Sequence, residues 1–139
     1  VMWPFLTIKW NRDECTPSRI GLIGDFLQTK IENLETIKTI TQLHHSEVVL
    51  IKIKTRHDRR SHTEIESQMR KCIAANDLNA EILILDEINH ELGVEAIVQE
   101  HLVDLIAIER VHHKGLLAPF KTDKSETLVN HIYAPILIY

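Results

Sequence analysis

From Arg19 to the C-terminus, short β-branched apolar runs alternate with segments in which apolar residues recur every three or four positions. That alternation is the mark of βαβ units and a mostly parallel sheet, because most runs are β-branched and nearly continuous, as strands covered on both faces should be. The runs are residues 19–24 (RIGLIG), 48–54 (VVLIKIK), 80–85 (AEILIL), 105–108 (LIAI) and 136–139 (ILIY). Between the first two, Leu27, Ile31, Leu34, Ile37, Ile40 and Leu43 form the stripe of one amphipathic helix. Ser61, with Glu64 three residues on, predicts a capping box for a second helix that buries Ile65, Met69, Cys72 and Ile73. A third helix is expected within residues 91–101, with Leu92, Ala96 and Ile97 inward and Gly93 weakening its first turn. A fourth is expected from Ser125 to the residues before Pro135. The fold class is therefore α/β, a three-layer αβα arrangement around a five-stranded, mostly parallel sheet.

At 139 residues the chain suits one such domain. Residues 1–17 stand outside the pattern. Leu6, Ile8 and Trp10 alternate with polar neighbours and residues 11–17 (NRDECTP) read as a linker. An extra edge strand and a segment that docks on something upstream are both open readings. The division is thus an N-terminal arm, 1–17, and a domain, 18–139.

The net charge of −4, with acids and bases interspersed, offers no face for nucleic acid. The basic run 56–60 (RHDRR) contains an acid and reads as a solvated loop. Cys15 and Cys72 are too few for a disulfide framework or a zinc site, which fits a cytoplasmic setting and inert thiols. No run approaches the ~20 apolar residues of a membrane span. His44-His45 reads as a helix end, where cations favour the dipole, and His112-His113 lies in a loop without metal-site spacing. No nucleophile elbow, P-loop or dinucleotide fingerprint is present, so an enzyme is not expected.

Residues 103–109 (VDLIAIE) are followed, without a gap, by His113, Gly115, Leu116, His131, Pro135 and the final ILIY, while residues 20–25 (IGLIGD) close on Asp25. This set resembles the universal stress protein family, whose fold is Rossmann-like, of the adenine-nucleotide alpha-hydrolase type. In that family the fourth strand reads like A-D-L-I-V-M-G and runs into a phosphate loop of the form G-x2-G-x9-G-[ST]. The resemblance covers about Arg19 to Tyr139. It places Asp25 and Ile53 at the adenosine side of a nucleotide site and Glu109, His112, His113, Thr122 and Asp123 at the phosphate side.

At the matching positions the glycines are replaced by Glu109, His112 and Thr122, and the hydroxyl residue by Asp123. Glycines let backbone amides approach phosphate, whereas the two carboxylates repel it. Phe26-Leu27 replaces the usual Gly-Ser after Asp25 and narrows the adenosine side. His112, His113, Lys114, Lys121 and Lys124 could offset part of the repulsion.

The resemblance thus implies a regulatory or interaction domain in a branch whose ATP site is degenerate, with no catalytic residues and no cofactor. AMP, a nucleoside or another small ligand stays open. It also implies a homodimer paired through Ile136, Leu137 and Ile138, unless the segment Leu6 to Trp10 covers that edge instead. Because the chain opens on Val1 and its first residues lack the family pattern, a place as the cytosolic domain of a membrane transporter is a further reading.

Overall fold

The β-branched runs do form strands. A computed structural model describes residues 5–7, 17–109 and 135–139. The described strands are β1 (Phe5–Thr7), β2 (Arg19–Ile23), β3 (Glu47–Lys54), β4 (Ala80–Asp86), β5 (Leu105–Ile108) and β6 (Ile136–Ile138), and the described helices are α1 (Glu35–His44), α2 (His62–Ala75) and α3 (His90–Gln99). They build a sheet of order β1-β6-β5-β2-β3-β4. All neighbours run parallel except β1, which lies antiparallel against β6. The expected five-stranded parallel sheet is therefore present with one antiparallel strand added. The fourth helix falls outside the described residues.

Alternate residues of each strand enter different cores. Ile20, Leu22, Val48, Leu50, Leu105 and Ala107 face Ile37 of α1 and Ile65, Met69 and Cys72 of α2. Ile23, Val49, Ile51, Ile53, Ile106 and Ile108 face Val94 and Ile97 of α3. The sheet thus sits between two helical layers.

Leu6 pairs with Leu137 and Phe5 with Ile138, so the edge of β6 is occupied by the chain's own N-terminal segment. This corrects the expectation of a dimer through Ile136, Leu137 and Ile138: with β5 on one side and β1 on the other, their backbone groups are not free to take a second copy.

The first helix is also corrected. It begins at Glu35, not near Leu27, and Leu27 and Leu43 are exposed. Residues 24–34 instead form a loop held against α2 by side chains far away in sequence. Asn76 Nδ2 donates to the Thr29 carbonyl at 2.8 Å and Asn76 Oδ1 accepts from Ile31 N–H at 3.1 Å. Lys30 Nζ donates to Ala75 O at 2.8 Å, and Cys72 Sγ to Gln28 O at 3.3 Å. Asp25, the one capping residue type just before Leu27, closes a local turn by accepting from Leu27 N–H at 3.1 Å.

The capping box of α2 is present: Ser61 Oγ accepts from Glu64 N–H and Glu64 accepts from Ser61 N–H. Replacing Ser61 by alanine should cost about 1 kcal/mol of stability, read as a lower urea midpoint with an unchanged slope. In α3 the inward face is Gly93, Val94 and Ile97, whereas Leu92 is 39% exposed and Ala96 only partly buried. A Cβ on Gly93 would stand 2.6 Å from Ile53 Cγ2, so this glycine is where helix and sheet touch.

Candidate functional site

The strand order reverses at β2, which has β3 on one side and β5 on the other. Open α/β sheets bind ligands at such a point, beyond the carboxyl ends of the strands. Asp25 follows β2 by two residues and Glu109 follows β5 directly, so the fold brings these two together on one cavity of about 210 Å³. Phe26, Leu27, Lys30, Ile31 and Tyr139 also line it.

Phe26 adopts a left-handed backbone, φ 55°, and is buried. Its ring lies against Gly24, where a Cβ would come within 3.3 Å. Glu109 is half-buried and accepts a long hydrogen bond from Glu32 N–H at 3.4 Å. Burial raises the Glu109 carboxyl above its ordinary pKa and the charges of Glu32 and Asp25 add to this, while the hydrogen bond from Glu32 opposes it. Tyr139 is 5% exposed. Burial, and then the Glu109 charge, push its phenol well above the usual range.

Beside this cavity stands an ionic cluster that the sequence reading missed. Lys52 of β3 is buried, and its Nζ lies 3.1 Å from Asp58 Oδ2. Arg60 Nη2 lies 2.7 Å from the same oxygen and also donates to the Asp25 carbonyl at 3.1 Å. The Arg60 hydrogen bond, helped by Lys52, holds the Asp58 carboxyl far below the ordinary carboxylate range in spite of burial. The run RHDRR is thus no freely solvated loop, a correction for Asp58 and Arg60. A signal was available, since Lys52 shares strand parity with Val48 and Leu50 and so points into a core, where an ammonium needs a partner.

Ile53 does not join the cavity. Its side chain is fully buried on the opposite face, beneath Gly93, which corrects its assignment to the adenosine side. His112, His113, Thr122 and Asp123 lie outside the described residues. Among the described residues no group of three or more His, Cys, Asp or Glu side chains converges to hold a metal, and no helix is long and apolar enough to cross a membrane. Burial raises the Cys72 thiol above its ordinary pKa, consistent with an unreactive thiol. His90, half-buried at the start of α3, is shifted down by burial and by Lys52.

No protein-family model and no curated protein matches the sequence. Solved structures are similar to it in fold. One is a universal stress protein from Archaeoglobus fulgidus, 15% identical, with a TM-score of 0.60 over 87% of this chain and 43% of that one. Another is a universal stress protein in complex with cAMP, 12% identical, with a TM-score of 0.58 over 90% of this chain and 98% of that one. The fold is that of the universal stress proteins. A functionally unknown protein from Pseudomonas aeruginosa is similar as well, 13% identical, with a TM-score of 0.63 over 97% of this chain and 51% of that one. The chain spans about half the length of this protein and of the Archaeoglobus one. Within the universal stress protein fold, Asp25 and Glu109 occupy the crevice at the reversal of strand order, and the loop carrying Phe26 walls it on the α2 side.

Proposed function

We propose that this chain is a non-catalytic regulatory domain of the universal stress protein type whose crevice does not hold ATP. One observation carries the reading: the cavity at the strand reversal is small and bordered by the carboxylates of Asp25 and Glu109. Lys30, the cation in its described wall, is engaged by the Ala75 carbonyl. A volume of about 210 Å³ falls below the ~300–1,000 Å³ of pockets that enclose drug-sized ligands. Each like-charge approach at ~4 Å costs a triphosphate about 1 kcal/mol in water and about 4 near a protein surface.

Thermal unfolding in the presence of ATP with magnesium tests this. A site with a Kd of ~10 μM would gain about 2.7 kcal/mol at ~1 mM ligand, which is roughly 10 °C for a domain of this size. The expected shift is below about 1 °C; a shift approaching the full value refutes the reading.

A second reading, a sensor of a small ligand such as AMP or a nucleoside, is favoured by the Tyr139 side chain, which lines the cavity. The neighbour in complex with cAMP supports a ligand in this fold. AMP and adenosine belong in the same unfolding screen, where stabilisation by either, without stabilisation by ATP, selects the sensor.

A further inference from the structure

The sheet ends in β1 on one side and in β4 on the other. β1 is three residues long and β4 seven. Proteins commonly blunt a long edge with lysine, proline or a bulge. β4 has none of these. Its register with β3 is unbroken from Val48↔Ala80 to Lys54↔Asp86, and Ile82, Leu83, Ile84 and Leu85 are apolar and only partly buried. The two acids of the strand stand near its ends and are engaged within the chain: Arg19 Nη2 lies 2.7 Å from Glu81 Oε2, and His62 Nε2 donates to Asp86 Oδ2 at 2.7 Å.

Glu87 N–H donates to the Lys54 carbonyl at 3.0 Å, which fixes the parity of β4. Along a strand the N–H and C=O groups of successive residues point to opposite sides. Leu83 and Leu85 therefore turn theirs toward β3. Ala80, Ile82, Ile84 and Asp86 turn theirs outward, where no strand pairs with β4 among the described residues.

We infer that β4 pairs antiparallel with β4 of a second copy of this chain, with Leu83 on the two-fold axis. That register opposes Ile82 to Ile84 and Ala80 to Asp86, so outward groups meet outward groups and each opposed pair exchanges two N–H···O bonds. In the intervening pairs Leu83 meets its own copy and Glu81 meets Leu85, so no acid faces an acid. Opposed residues also share a face of the sheet, which joins the two sheets into one. Sliding the strands by one residue sets outward groups against inward ones, and any longer slide leaves part of β4 unpaired. The strand is thus complementary to itself, which selects a second copy as its partner, and the two-fold closes the assembly at a dimer. This surface is separate from the crevice and does not depend on the ligand reading.

Sedimentation of the full chain from about 1 μM to 1 mM is expected to show a monomer passing to a dimer and no further. Amide exchange followed over the same range locates the contact. Where about nine-tenths of the chain is dimeric, the Ile82 and Ile84 amides should exchange about tenfold more slowly than in dilute solution, because only the dissociated fraction is open. The Leu83 and Leu85 amides, bonded to β3, should not change. In a Cys15→Ser background, Leu83→Cys should oxidise to a disulfide-linked dimer, since opposed residues of a non-hydrogen-bonded pair stand about 4.5 Å apart at Cα, within disulfide reach. Glu81→Cys, on the same face but opposite Leu85, should not. A monomer at every concentration, assemblies that grow beyond a dimer, or a dimer in which the Ile82 and Ile84 amides exchange at an unchanged rate overturns the inference. So does equal cross-linking of the two cysteine variants. The wild-type measurements decide even if a variant fails to fold.

Discussion

Replacing Asp58 by alanine should lower the stability of the chain by about 3 kcal/mol, the low end of the 3–5 kcal/mol measured when one partner of a buried ion pair is removed. The low end applies because the Asp58 and Arg60 side chains are 14% and 22% exposed, while that of Lys52 is 5% exposed. The loss comes from the ammonium left behind. Lys52 would then lie in an apolar strand without its carboxylate, a burial that is costly for any charge.

Adding Lys52→Met to Asp58→Ala should therefore restore most of the lost stability, since an apolar chain of similar length replaces the stranded ammonium. Urea unfolding of the two single variants and the double variant measures this. Additive losses in the double variant would show that the pair is not the cause.

The same carboxylate sets a dependence on acid. Its folded pKa is depressed below the unfolded value of ~3.9, so its contribution is fully present above about pH 4 and declines as pH falls toward the folded value. The Asp58→Ala variant should lose less stability than the wild type over that acid range.

Gly93→Ala should cost about 1–2 kcal/mol, although alanine is the better helix former by about 1 kcal/mol. The new methyl would sit 2.6, 2.8 and 2.9 Å from Cγ2, Cδ1 and Cγ1 of Ile53, which is fully buried and has no room to turn away. Overpacking of this kind typically costs 1–3 kcal/mol. Ile53→Ala alone should lose about 2–5 kcal/mol to the cavity it opens. Together the two changes should lose less than their sum by about 1 kcal/mol or more, because the methyl fills part of that cavity. Additivity within about 0.5 kcal/mol would mean that helix and sheet do not meet at this point.

The parallel sheet was legible because each of its strands carries a short run rich in Ile, Leu or Val, and α2 because Ser61 and Glu64 announce its start locally. The start of α1 was not legible. Its periodicity extends back to Leu27, yet the loop is fixed by Asn76 and Cys72, partners that lie more than 40 residues away. In α3 the glycine that lowers helix propensity is also the closest contact with the sheet, so the inward face was misjudged at Leu92.

At the site, Asp25 and Glu109 were recognisable as residues at strand ends. Ile53 was misplaced although its face was legible, since it shares strand parity with Val49 and Ile51 and so lies on the α3 side of the sheet. Tyr139 was read only as part of an edge strand. Its place at the cavity follows from β6 lying beside β5, with Tyr139 N–H bonded to the Ile108 carbonyl at 3.2 Å and its side chain among the lining residues.

The central claim, that the acidic crevice between β2 and β5 excludes a triphosphate, is tested most directly by equilibrium dialysis of the full chain against labelled ATP with magnesium. The account predicts no saturable retention up to about 1 mM, a concentration at which a ~10 μM site would be almost fully occupied. Saturable retention that unlabelled ATP displaces would contradict it.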